Sequence, residues 1–204
     1  GVAFRYALPK QEALGAFTLA AENTGFYFAR DAHAYAMNLG SFTKEYEKEF
    51  VRAPLDDYKP TSIVALPMLI ELVGGPYVGL IEADLLDYAG MYVSGVNGVS
   101  NALVSKLSPP PSADGFALGM YYQHANSVTE LEKFSGGFGN YLLMGKERRR
   151  DQMLSDDLVV GTTPKNTPWR VLLINSRPGA LIESNVLALN LSAPCAIDDS
   201  WIQP

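Results

Sequence analysis

The sequence is poor in cysteine, histidine and basic residues, and each shortage excludes a class of site or partner. Its single cysteine rules out a disulfide within the chain and a thiolate metal cluster. Its 16 basic residues against 22 acidic ones leave a net charge of −6, so no surplus of positive charge exists to bind phosphates or an anionic membrane. No apolar run approaches the roughly 20 residues that span a bilayer. We therefore predict a soluble globular protein with no nucleic-acid partner and no membrane span.

Motifs of common catalytic and cofactor sites are missing as well. The two histidines, His33 and His124, do not stand in a metal-ligand spacing, and no GxSxG motif accompanies them. The glycine cluster at 136–139 lacks the spacing of a dinucleotide-binding loop, and no P-loop motif occurs. A nucleotide site is therefore not expected.

The residues that could carry chemistry are carboxylates. Glu82, Asp84 and Asp87 lie close together after an apolar segment, and Asp56-Asp57 and Asp198-Asp199 form two further pairs. Paired carboxylates can catalyse glycoside hydrolysis or bind Ca²⁺ through their hard oxygen atoms. Acidic clusters in loops are more often solvated turns, and spacing alone does not separate these alternatives.

Short apolar segments punctuated by glycine and proline predict a mainly β fold. The chain is 48% hydrophobic and 11% aromatic, with 18 glycines and 13 prolines. Strand-sized segments recur at spacings of about 8–12 residues without long amphipathic helices between them, which favours an antiparallel sandwich over an α/β sheet. The predicted strands begin with alternating residues at 3–8 and continue at 16–20, 26–29, 63–70, 77–81, 91–96, 103–107 and 169–174.

Three segments depart from the strand pattern. Residues 42–51 have apolar positions at helical spacing and could form either a helix or a charged loop. Residues 82–88 could form one or two helical turns or an extended bend. Residues 112–158 are the most polar part of the chain and contain its one run of charges, so we predict a surface insertion between two strands.

Several ordered sequence blocks run along most of the chain. It opens with GVAFRY at 1–6, continues with ENTGFYF at 22–28, and carries IEADLLDYAGMY at 81–92. More blocks follow near the end, namely TPWRVL at 167–172, LIESN at 181–185, LNLSAPC at 189–195 and SWIQP at 200–204. In this order the blocks resemble the N-terminal domain of glycoside hydrolase family 97, whose bacterial members cleave α-glucosides or α-galactosides.

The resemblance implies both the fold and the place of the chain in a larger enzyme. The family's N-terminal domain is a large antiparallel β-sandwich of the galactose-mutarotase-like type with few short helices. Residues 1–204 would be most of that domain without its early strands. In the family a catalytic (β/α)8 barrel and a small C-terminal β domain follow it. The family also implies a bacterial periplasmic or secreted location, with the signal peptide outside this chain.

The same resemblance implies one site residue, Glu82. The family's catalytic carboxylates belong to the barrel, so none is assigned in this chain, whereas its N-terminal domain supplies one glutamate to a Ca²⁺ site. By its position in the block at 81–92 that residue is Glu82, while Asp84 and Asp87 stay surface or turn carboxylates. Ca²⁺ takes about six to eight oxygen ligands, so a single glutamate can complete such a site but cannot form one. The alternative is that Glu82 only caps the turn at 83–88.

The large aromatic and arginine side chains of the blocks are expected to be structural. Trp169 and Trp201 would pack in the core or against the barrel, and Arg5 and Arg170 would pair with carboxylates. The implied partners are an oligosaccharide with α-linked glucose or galactose and the chain's own barrel, with a homodimer as a further option.

Two other functions stay open at the level of the sequence. A free-standing carbohydrate-binding module could line a sugar groove with the tyrosines at 27, 35, 121 and 122. A structural or dimerising domain without catalysis is the third alternative.

Overall fold

Short apolar segments form β-strands in the computed structural model, which describes residues 1–42, 44, 46–110, 157–184, 186–194, 196–198 and 200–201. In chain order these strands are β1 (Val2–Phe4), β2 (Ala7–Leu8), β3 (Ala16–Leu19), β4 (Gly25–Tyr27), β5 (Ala32–Ala36), β6 (Val51–Pro54), β7 (Met68–Leu72), β8 (Tyr77–Ala83), β9 (Met91–Val96), β10 (Val99–Leu107), β11 (Val159–Thr162), β12 (Lys165–Asn166) and β13 (Trp169–Asn175). The described chain also holds a 3₁₀ turn at Leu55–Asp57 and the short helices α1 (Gly179–Ile182) and α2 (Val186–Leu191). The predicted insertion at 112–158 lies, apart from its last two residues, outside the described residues.

Antiparallel pairing organises these strands into two main sheets. The larger sheet has six strands in the order β1-β13-β8-β7-β5-β6, and the smaller has three in the order β4-β10-β9. Two further pairs, β3 with β11 and β2 with β12, form two-stranded ribbons. Val64 links the two main sheets through single bridges to Asn38, just after β5, and to Val93 of β9.

The facing sides of the two main sheets enclose the largest hydrophobic core. Alternate residues of a strand point to the same side of a sheet, so Ala34, Ile70 and Leu80 project inward from the larger sheet. Val93 and Leu103 project from the smaller sheet to meet them, and all five are fully buried. Each buried large aliphatic side chain contributes about 1.5–3 kcal/mol relative to exposure. This arrangement confirms the predicted mainly β sandwich.

The opposite face of the larger sheet packs against the C-terminal helices. Val171 and Leu173 of β13 share a cluster with Leu181 of α1 and Leu187 of α2. The helices were not among the predicted elements, because segments of four and six residues are too short to show a helical period. No helix in the described part of the chain has the length and apolarity to cross a membrane.

The predicted strand at 63–70 is shorter in the structure and begins only at Met68. Pro67 stands directly before it, and proline has no N–H to donate to a strand ladder. Ile63, Val64 and Ala65 upstream of it are still buried. Val64 exchanges two backbone hydrogen bonds of 3.0 Å with Val93.

The described residues of the segment at 42–51 lie in turns, bends and irregular backbone, without a helix, until β6 begins at Val51. The rings of Phe42 and Tyr46 pack on Tyr92, and the Tyr46 hydroxyl donates a hydrogen bond of 2.6 Å to the Tyr92 hydroxyl. These contacts with a neighbouring strand select the loop alternative.

Candidate functional site

Glu82 lies near the end of β8 on the side that faces the sandwich interior. It follows Val78 and Leu80 on the same side of the strand, and both of these belong to the main core. The side chain of Glu82 is 12% exposed. The predicted site residue is therefore an almost buried carboxylate rather than a solvated turn residue.

The partner of Glu82 is Arg170, which stands directly opposite it on β13. The Arg170 side chain is fully buried, and its Nη1 donates to Oε1 of Glu82. Its other two nitrogens both donate to Glu22, Nε to Oε1 at 2.8 Å and Nη2 to Oε2 at 2.6 Å. One guanidinium thus bridges two carboxylates, one of them through the bidentate geometry in which arginine binds most strongly.

Glu22 is held from three further directions. Its Oε1 accepts a hydrogen bond of 2.9 Å from the Thr24 hydroxyl, and its Oε2 accepts one of 2.9 Å from the Tyr88 hydroxyl. Its backbone carbonyl accepts one of 2.6 Å from the Ser105 hydroxyl. The Glu22 carboxylate therefore accepts four hydrogen bonds, all from side chains fixed in or beside the sandwich.

The two carboxylates respond differently to burial. Burial raises the pKa of Glu22, but the hydrogen bonds and charge of Arg170, helped by Thr24 and Tyr88, outweigh it and leave the pKa below its usual value. Burial also raises the pKa of Glu82, and the Met91 N–H and Arg170 do not cancel this effect, so that pKa stays above its usual value. The contacts of Glu22 thus outweigh the cost of burying its negative charge, whereas the contacts of Glu82 do not.

The loop at 84–90, which follows Glu82, is fixed at several points. Asp84 and Asp87 both adopt positive φ, at 56° and 49°, a backbone region that aspartate enters more readily than most residues. Asp84 pairs with Arg5 at 3.4 Å, and Asp87 pairs with Lys165 at 2.6 Å. The loop closes where the Met91 N–H donates a hydrogen bond of 2.9 Å to Oε2 of Glu82. The extended bend, not the helical alternative, is what forms here.

Within the part of the chain that the structure describes, no group of three or more histidine, cysteine, aspartate or glutamate side chains is arranged to hold a metal ion. The nearest carboxylates along the chain, Asp84 and Asp87, are each paired with a basic residue. Glu82 could therefore act as one ligand among several and could not form a Ca²⁺ site alone.

The predicted pairing of Arg5 and Arg170 with carboxylates is confirmed. Trp169 is half-buried, and Arg5 stacks over its ring with the guanidinium carbon 4.5 Å from the centroid. Trp201 is 75% exposed, so it does not pack in the core of the described residues, and its packing against the barrel stays a prediction. The role of Glu22 was missed, although its block at 22–28 was already recognised as a unit.

The tyrosines considered for a sugar groove are not brought together by the described part of the structure. Tyr27 is 69% exposed on β4 of the smaller sheet, while Tyr35 is half-buried on β5 of the larger one. Tyr121 and Tyr122 lie outside the described residues.

One protein family matches nearly the whole chain. Residues 1–194 match the family described as Glycosyl-hydrolase 97 N-terminal. The chain is also 25% identical over 164 residues to a retaining alpha-galactosidase of Bacteroides thetaiotaomicron. That match covers 80% of this chain and 21% of the galactosidase.

Solved structures share the same fold. A glycoside hydrolase family 97 enzyme from Pseudoalteromonas sp. strain K8 in complex with acarbose matches with a TM-score of 0.67 and 22% identity, over 99% of this chain and 23% of that chain. A variant of that enzyme in complex with panose matches equally well. A beta-arabinopyranosidase matches with a TM-score of 0.52 and 19% identity, over 85% of this chain and 23% of that chain. The chain thus spans between a fifth and a quarter of the length of these relatives.

Proposed function

Because the chain belongs to the N-terminal domain of glycoside hydrolase family 97, we propose that it supports the catalytic barrel of an α-glycosidase and supplies Glu82 as one ligand of a Ca²⁺ ion. The substrate in this proposal is an oligosaccharide with α-linked glucose or galactose. The match to a retaining alpha-galactosidase, and the likeness to an enzyme solved with acarbose and with panose, support that substrate class.

The observation that supports the proposal is that each oxygen of the Glu82 carboxylate accepts a single hydrogen bond from the described residues. Its Oε1 accepts from Arg170 and its Oε2 accepts from the Met91 N–H, so each oxygen keeps a lone pair for a further partner. Its charge is the less compensated one of the cluster, and a carboxylate oxygen is a ligand type that Ca²⁺ prefers. The residues present therefore fit the role of a single Ca²⁺ ligand, and the remaining ligands would come from the barrel.

The loop at 84–90 supports the second part of the proposal, contact with the barrel. Leu85 is 45% exposed and Leu86 is 68% exposed, and both stand between the anchored residues Asp84 and Asp87. A loop that is tied down by ion pairs and presents two neighbouring leucines to solvent is typical of a contact surface. Because Glu82 lies two positions before this loop and 12% of its side chain is exposed, docking of the barrel here would bring the barrel close to its carboxylate.

The chemistry divides between the two parts of the proposed enzyme. The carboxylates that protonate the leaving group and activate water or attack the sugar would belong to the barrel. A bound Ca²⁺ supplies electrostatic stabilisation and a template for oxygen groups. The described residues of this chain hold Glu82, exclude water around Arg170 and pair Asp84 and Asp87 of the loop at 84–90 with basic residues.

The Ca²⁺ role is tested in the full-length enzyme that carries this chain. Calorimetric titration should show weaker Ca²⁺ binding for Glu82→Gln, together with lower hydrolysis of an aryl α-glycoside and an unchanged melting temperature in chelator. Glu71→Gln is the matched control, because Glu71 also pairs with an arginine across strands but at the surface. Unchanged Ca²⁺ affinity with equal losses of melting temperature and activity would instead favour Glu82 as a cap of the turn at 83–88.

The purified 204-residue chain separates the proposal from its alternatives. We expect it to hydrolyse neither an aryl α-glucoside nor an aryl α-galactoside, and turnover of either would contradict the proposal. Submillimolar binding of maltose or melibiose by this chain would favour the carbohydrate-binding module. Light scattering tests the dimerising alternative. A periplasmic or secreted location stays a prediction from the family resemblance.

A further inference from the structure

Arg170 and Glu82 are brought together by the register of the larger sheet. They are direct partners on the antiparallel strands β13 and β8, and side chains at such positions have Cβ atoms about 4.5–5.5 Å apart. Both strands are internal in the six-stranded sheet, with β1 beyond one and β7 beyond the other. Their backbones are thus fixed, and the orientation of the Glu82 carboxylate depends on what its side chain contacts.

The guanidinium that contacts Glu82 is itself immobilised. Arg170 has no exposed side-chain surface, and each of its three nitrogens donates to a carboxylate. Glu22 binds two of these nitrogens and is in turn held by Thr24 and Tyr88. A planar guanidinium that is gripped along one edge presents its remaining nitrogen in one direction only.

We infer that Arg170, clamped by Glu22, is a positioning residue that holds the Glu82 carboxylate in the orientation required of a Ca²⁺ ligand. The inference rests on the proposed function, because it presupposes that Glu82 binds the ion. Arg170 fixes one carboxylate oxygen and the Met91 N–H fixes the other, so the plane of the carboxylate is defined by two contacts. Loss of groups that orient a metal ligand typically lowers metal affinity about 10- to 100-fold.

The test measures Ca²⁺ affinity by calorimetry in the full-length enzyme that carries this chain. Arg170→Lys keeps the positive charge but replaces the planar fork with a point charge, which cannot grip Glu22 and Glu82 together. We expect its Ca²⁺ affinity to fall about 10- to 100-fold. Glu22→Gln keeps the shape of the side chain that binds Arg170 but removes its negative charge. Its Ca²⁺ affinity should therefore also fall, by less than that of Arg170→Lys. If the lysine variant does not fold, the glutamine variant carries the test.

A matched control separates positioning from general destabilisation. Leu103→Ala removes core packing without touching the cluster, and its Ca²⁺ affinity below its melting temperature should equal that of the wild type. An equal loss of affinity in Leu103→Ala and Arg170→Lys would overturn the inference. The inference would also be overturned if Arg170→Lys kept the Ca²⁺ affinity of the wild type while Glu82→Gln bound Ca²⁺ weakly. The proposed function of Glu82 would stand in that case. Unchanged affinity in Glu82→Gln would overturn the proposed function and the inference with it.

Discussion

Replacing Glu22 by alanine should be among the most destabilising single changes in the described part of the chain. The change removes four hydrogen bonds to the carboxylate and leaves two nitrogens of the fully buried Arg170 without a partner. Breaking a buried ion pair by removing one partner costs about 3–5 kcal/mol. Domains of this size are stable by about 5–15 kcal/mol, so the loss is a large fraction of the total. At roughly 2–4 °C per kcal/mol, the melting temperature should fall by about 6–20 °C.

The assay is urea and thermal unfolding of the 204-residue chain, followed by circular dichroism in chelator. Glu71→Ala is the control, because it removes a carboxylate that pairs with Arg52 across strands at the surface. Exposed pairs of this kind are worth about 0–1 kcal/mol. The reasoning is refuted if Glu22→Ala and Glu71→Ala lower the free energy of unfolding by the same small amount.

Three more predictions concern pH, packing and docking. Because the folded-state pKa of Glu22 is lowered, its stabilisation is present above the ordinary glutamate value of about 4.3 and is lost as pH falls through the folded value. Urea unfolding should therefore show the gap in stability between wild type and Glu22→Gln shrinking from about pH 7 to about pH 3, and a constant gap would contradict this. Gly95→Ala should destabilise the chain by at least about 1–3 kcal/mol in the same assay, since its Cβ would lie 1.8 Å from the Tyr58 carbonyl oxygen. The double substitution Leu85→Ser and Leu86→Ser should lower the melting temperature of the full-length enzyme more than that of the 204-residue chain. The control is Val73→Ser, because Val73 is 53% exposed and precedes β8, away from the loop. It should lower the melting temperature of both proteins equally.

Local pattern was sufficient to predict the fold class but not every boundary. Alternation and turn residues identified most strands, because these signals act over a few neighbouring positions. The segment at 63–70 has the length and apolarity of a strand, yet only its end, after Pro67, pairs in the larger sheet. The helices α1 and α2 form because their apolar residues cover the outer face of β13 and β8, a tertiary contact that a short sequence window does not contain.

The site was only partly predictable from the sequence, because its residues lie far apart along the chain. Glu82 was named from a block of residues, and Arg170 was expected to pair with some carboxylate. Glu22 is 148 positions from Arg170 along the chain, and it reaches the cluster because the loop before β4 is tied to β10 through Ser105. Three of the quoted blocks, at 22–28, 81–92 and 167–172, therefore meet at one guanidinium. A family resemblance can show that such blocks occur together, but only the folded chain shows why.

The composition of the cluster argues for a role beyond stability. One guanidinium serves two carboxylates, so the cluster carries one negative charge in excess when both are ionised. Burial raises the pKa of Glu82 above its usual value, and the nearby charge of Glu22 adds to this effect. Replacing a buried ionic triad with well-packed apolar residues is often neutral or stabilising. Glu82 adds little to the stability of the sandwich, because the bidentate pairing with Glu22 already neutralises the charge of Arg170. What Glu82 adds is a carboxylate near the end of a strand, bound by Arg170 and three positions before the first exposed leucine of the loop at 84–90. That combination suits a ligand presented to a partner domain better than it suits a core.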